Sequence, residues 1–151
     1  MKDLPHHYPA AARGGASGDV TLTSPGLADL ASEPPVEFGG AGTLWSPETL
    51  LAAAVADCFI LTFRAIARAS KLTFDELLCD VSGELDRVEG QLRFKHFAVQ
   101  ARLLVPAGTD EARARTLLEK AERGCLVSRS LSATTSLACE VVVAGAVVSE
   151  R

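Results

Sequence analysis

The chain has 151 residues, 48% hydrophobic and 23% charged, with a formal net charge of −4 at pH 7. That length suits one domain, which can bury roughly two-thirds of its unfolded surface without disulfides or a structural metal, and the apolar content argues against disorder. A net negative chain excludes a nucleic-acid binder driven by bulk positive charge.

Residues 1–18 are rich in Ala, Gly and Pro and have no regular period. They read as a tail, with residues 19–151 forming a single domain. No apolar stretch follows Lys2 up to Gly15, so no signal peptide is expected. His6 and His7 have no third ligand near in sequence and read as part of a polar tail. Asp19 to Thr23 alternates as a strand does, and Ser24-Pro25-Gly26 ends it. A second short strand is expected over Pro34 to Phe38. Gly39 to Leu44 is glycine-rich but lacks the G-x-x-x-x-G-K-[ST] pattern, so it predicts no phosphate cradle.

The strongest local signal follows. Ser46 is a good helix N-cap, Pro47 suits the first helical position, and Glu48 complements the positive end of the dipole. Leu50 to Ser70 then runs without Gly or Pro, and from Leu50 to Phe63 only Asp57 and Thr62 are polar. A helix that is apolar on nearly every side is buried or spans a membrane. Asp57 and Arg64 interrupt the stretch short of the ~20 residues a bilayer needs, so a long central helix inside the fold is predicted. One chain of this size could not easily cover all its sides, which predicts a dimer. Asp57 needs a partner or exposure at a cleft.

Leu77 to Arg87 alternates, Val88 to Gln91 supplies a turn, and Leu92 to Val105 completes a hairpin. The phase slips between Phe94 and Phe97, which predicts a bulge near Lys95-His96. His96 reads as a packed or edge histidine rather than a catalyst. After Pro106-Ala107-Gly108, a helix capped by Thr109 or Asp110 runs to Arg123, with Ala114, Leu117, Leu118 and Ala121 on its buried stripe and Gly124 as its stop. Its basic residues read as a solvated face. A final strand is expected from about Ser136 to Val148. The order of elements gives an α+β fold with helices against antiparallel sheet.

Four cysteines stand at 58, 79, 125 and 139, none in a C-x-x-C pair. This disfavours a zinc knuckle or thioredoxin-type motif, and a disulfide framework is not expected without a secretory signal. Either all four are free thiols or a reactive pair accompanies two packed ones. Taken alone, Cys58 has only apolar or neutral neighbours one turn away, and burial would raise its pKa and leave it inert. Cys125 follows Gly124 at a helix end, where packing is expected to be looser. Cys79 and Cys139 fall on the apolar parity of strands and read as core residues.

Two segments carry a resemblance. Ser46-Pro47-Glu48-Thr49-Leu50-Leu51-Ala52-Ala53-Ala54 with Ala56-Asp57-Cys58-Phe59, and Ala121-Glu122-Arg123-Gly124-Cys125-Leu126-Val127-Ser128, resemble the helix and second cysteine segment of the OsmC/organic hydroperoxide resistance family. Their order and spacing, and the hairpin between them, also fit. The resemblance implies antiparallel sheets around a long buried central helix, in an intertwined homodimer with sites between subunits. It implies a cytoplasmic cysteine-based peroxidase acting on organic hydroperoxides, with no metal and no cofactor, and with neither nucleic acid nor membrane as a partner. Cys58 would attack the peroxide and Cys125 would resolve the sulfenic acid as a disulfide, recycled by an external dithiol such as dihydrolipoamide. An Arg from the N-terminal region would activate the thiolate, oriented by Glu48. Arg13, the only Arg before Arg64, is the candidate, and Arg129 the reserve. Glu48 lies about 15 Å from Cys58 along a straight helix, so its role would be exercised near the partner's Cys58. Two other readings stay open. One is a hotdog-type thioesterase or acyl-binding protein with Glu48 or Asp57 as base; the other is a non-catalytic thiol redox sensor.

Overall fold

The computed structural model describes residues 2–145. The backbone forms two compact units, one ending at Leu50 and one starting at Leu51.

In the first unit, β1 (Ala11–Arg13), β2 (Val20–Thr23) and β3 (Leu30–Ser32) form an antiparallel sheet in that order. A strand therefore lies within the segment expected to be a tail. The strand expected over 34–38 does not form. Pro34 and Pro35 lack the N–H groups that a ladder needs, and Val36–Phe38 makes one 3-10 turn instead. Gly39 leaves that turn with φ 89°, its N–H on Val36 O at 3.0 Å. At Gly40 a Cβ would lie 1.6 Å from Pro34 O, so no side chain fits there. Glu33 pins the following loop by accepting from the backbone N–H groups of Leu44, at 2.8 Å, and Thr43. Those bonds hold its carboxyl below the usual carboxylate range.

The cap expected at Ser46 is present and reciprocal. Ser46 Oγ accepts from Thr49 N at 3.1 Å, and Thr49 Oγ1 accepts from Ser46 N at 2.8 Å. Two of the orphan donors at the helix start are satisfied in this way. Helix α1 then runs Pro47–Ala69.

In the second unit α1 buries Val55, Phe59, Phe63 and Ala67, one residue per turn, in a single stripe. They pack with Phe97, Val99, Leu103 and Val105 from the sheet and with Ala114, Leu118 and Ala121 from a later helix, Glu111–Gly124. As expected, the described residues do not cover every side of the helix: Leu61 is 51% exposed, and Ala65 and Ala69 are also exposed.

Strands β4 (Glu76–Val88), β5 (Gln91–Val105) and β6 (Thr134–Val143) form the second sheet in that order. Glu89 and Gly90 join β4 to β5 with φ 50° and 81°, the two positive values that a tight hairpin turn with matching twist requires. The register shifts where Glu84 faces His96 and Leu85 faces Phe94, leaving Lys95 as the extra residue. The bulge stands where the phase slip predicts it.

Helix α2 (Glu111–Gly124) is capped by Asp110, whose side chain accepts from Arg113 N at 3.0 Å, and it buries the predicted stripe. Cys125 and a one-turn helix α3 (Leu126–Arg129) follow. The α+β architecture is as expected, with one correction: β6 pairs parallel to β5. A crossover helix returns the chain to the end of the sheet where β5 began, and the next strand then runs the same way. The last strand ends at Val143, and 146–148 lie outside the described residues.

Candidate active site

Cys125 sits between two helices. Its extended backbone, φ −64° and ψ 113°, ends α2 and starts α3. The first N–H groups of α3 consequently have no intrahelical carbonyl. The Cys125 side chain is buried, 2% exposed, with its sulfur 4.0 Å from Val55 O on α1. Cys58, one turn later on α1, is half-buried, its sulfur 3.9 Å from Thr62 Oγ1. The fold thus brings together two thiols that are 67 positions apart in the chain.

Their acidities diverge. Burial pushes the Cys58 thiol up, but the Val127 N–H, the Cys125 thiol, the Thr62 hydroxyl and the Leu126 N–H together outweigh it, and its pKa lies below the ordinary thiol value. Burial pushes the Cys125 thiol up, and a neighbouring Cys58 thiolate raises it further. Cys58 ionises first while Cys125 keeps its proton. The two thiols thus stand side by side with unequal acidity.

Two sequence-based expectations need correction here. Burial does not leave the Cys58 pKa raised, because hydrogen-bond donors outweigh its desolvation. Cys125 is more tightly packed than its place at a helix end suggested. Within one chain the donors that lower the Cys58 pKa are backbone N–H groups, a thiol and a hydroxyl. Sequence reasoning missed Leu126 and Val127 because a four-residue helix carries too little periodicity to be read. The hint was the break at Gly124-Cys125 followed by residues that resume a helical turn.

The other candidates lie elsewhere. Arg13 ends β1 opposite Thr21 and is exposed. Glu48 is in the first turn of α1, its Oε2 buried with no hydrogen-bond partner among the described residues. It borders a largely apolar cavity of about 480 Å³ in the first unit, lined by Val20, Leu22, Pro35, Phe38 and Leu50. Arg129 is exposed at the end of α3, and Asp57 is exposed on α1. Cys79 is pushed up to about 11 by burial, then by Asp80 and Cys125. Cys139 lies beside a guanidinium: Arg115 Nη1 is 2.7 Å from its carbonyl oxygen and 3.5 Å from its sulfur. Among the described residues no three His, Cys, Asp or Glu side chains gather as metal ligands.

The family model of the OsmC-like protein matches residues 40–140, which include both cysteines and all of α1. The chain belongs to the OsmC family. Among OsmC relatives, an organic hydroperoxide resistance protein of Xanthomonas axonopodis pv. citri is 35% identical over 123 residues, 80% of this chain and 83% of that protein. The crystal structure of an organic hydroperoxide resistance protein from Legionella pneumophila is 28% identical, with a TM-score of 0.72 over 93% of this chain and 99% of that one. An OsmC-like protein of Vibrio cholerae shares the fold more closely, with a TM-score of 0.80 at 15% identity, over 91% of this chain and 100% of that one.

Proposed function

We propose that this OsmC-family protein is a cysteine-based peroxidase that reduces organic hydroperoxides. The observation that carries the reading is the paired thiol site, with Cys58 acidified by N–H donors and Cys125 protonated beside it. The relatives named for organic hydroperoxide resistance support the substrate class.

The cycle balances without a metal or cofactor. The Cys58 thiolate attacks the terminal oxygen of ROOH, the O–O bond breaks, and the alkoxide takes a proton to leave as ROH. Cys58 is then a sulfenic acid. The Cys125 sulfur attacks the Cys58 sulfur, hydroxide leaves and is protonated to water, and a Cys58–Cys125 disulfide forms. An external dithiol such as dihydrolipoamide reduces it by two thiol–disulfide exchanges and leaves oxidised. A chain of free thiols recycled in this way belongs in a reducing compartment, the cytoplasm.

The working unit in this reading is a homodimer. The open face of α1 at Leu61, and Leu126 at 74% exposure, support it. Glu48 and Arg13 serve as the pair that directs a cation to the site of a second copy, a role supported by the unpartnered oxygen of Glu48. The test is dithiol-dependent consumption of cumene hydroperoxide. Cys58→Ser and Cys125→Ser should each abolish turnover; normal turnover in either variant contradicts the mechanism.

A further inference from the structure

We infer that Ser136, on the outer face of the second sheet, is a nucleophilic hydroxyl activated by His96 and open to acylation by activated esters. Three strands bring the parts together. Glu84, His96 and Thr134 stand in one cross-strand row, and Ser136 lies two residues beyond Thr134 on the same face. His96 follows the Lys95 bulge directly, and bulges re-aim the side chains beside them.

The hydrogen bonds determine which atom holds each proton. Thr134 Oγ1 donates to the Lys95 carbonyl oxygen at 3.2 Å. Its single proton is spent there, so it accepts from His96 Nδ1, 2.8 Å away. Nδ1 therefore carries the ring proton of neutral His96, and Nε2 presents a lone pair. Ser136 Oγ lies 2.9 Å from that nitrogen and donates its proton to it. This is a hydroxyl, a base at hydrogen-bond distance and a third group that fixes the tautomer of the base. Ser136 and Thr134 are exposed, so an acyl donor has direct access.

The step requires no oxidant or cofactor. Ser136 Oγ attacks the carbonyl carbon of an activated ester while its proton passes to His96 Nε2. The bond to the leaving aryloxide breaks, and the aryloxide takes up that proton. The products are an O-acyl Ser136 and a phenol. On this face Lys95 Nζ is tied to Glu84 Oε1 at 2.9 Å and to Asp86 Oδ2 at 2.7 Å, which leaves it a weaker competitor for the same donor.

The test treats the full chain with 4-nitrophenyl acetate and locates acetyl groups by peptide mass spectrometry, which separates Ser136 from thiol and lysine labelling. Ser136 should be acetylated. His96→Gln should slow that labelling about a hundredfold, the low side of the range for a positioned general base. Thr134→Val, which frees the other tautomer, should also slow it. Hydroperoxide turnover in both variants, unchanged from the parent, checks that the fold is kept and is independent of the acylation result. Acetyl groups found only on lysines, cysteines or the N-terminus, or Ser136 labelled equally fast in His96→Gln, would overturn the inference.

Discussion

The Cys125 sulfur lies 4.0 Å from the carbonyl oxygen of Val55, one turn before Cys58 on the same helix. Apolar packing of α2 on α1 places Cys125 there, and the turn that follows it sets the Leu126 and Val127 N–H groups beside Cys58. Position and acidity therefore have one cause. A shift of α3 would separate the sulfurs and remove the donors at the same time.

The thiols should ionise in a fixed order as pH rises. Cys58 has a folded pKa below its unfolded one, so its thiolate stabilises the fold above the unfolded value, and this contribution is lost as pH falls through the folded value. Cys79 has the opposite sign: its neutral form stabilises the fold, and the contribution is lost as pH rises toward about 11. Iodoacetamide labelling followed by peptide mapping should modify Cys58 at the lowest pH and Cys79 at the highest. Cys79 reacting at or below the pH at which Cys58 reacts would contradict the electrostatics described above.

Gly83 is fixed by packing. A Cβ there would stand 2.7 Å from Phe97 Cε1 and 2.9 Å from Phe94 Cε1, under two stacked rings whose centroids are 5.1 Å apart. Phe97 is fully buried and has no room to retreat. Gly83→Ala should therefore cost ~1–3 kcal/mol as an overpacking change. Urea denaturation measures it, and a midpoint equal to that of the parent would refute the packing argument.

Much of this fold was legible because its signals are local and repeated. Ser46-Pro47 marks the start of α1, four residues of α2 define its stripe, and the parity slip around Lys95 locates the bulge. The parallel pairing of β6 was not legible, because the direction of a strand depends on where a crossover helix returns the chain. The pairing of Cys58 with Cys125 came from a family resemblance, since spacing alone does not bring distant sulfurs together. The donors on Cys58 were missed for a related reason. Backbone N–H groups leave no mark on residue identity, and the search for a cation passed over them.

The open side of α1 predicts self-association. Leu61, 51% exposed, forms with the exposed Ala65 and Ala69 a narrow apolar strip on α1 that a second copy would cover. Sedimentation equilibrium should find a dimer at micromolar concentration, and Leu61→Glu should shift it toward monomer, because an unpaired carboxylate is costly to bury. A monomeric parent, or a variant that dimerises as tightly as the parent, would contradict this assignment of the face.

The most direct measurement is disulfide mapping after one equivalent of cumene hydroperoxide. A single new link should appear, Cys58 to Cys125, with Cys79 and Cys139 still reduced. A link that involves Cys79 or Cys139, or four thiols untouched by the peroxide, would contradict the proposed cycle.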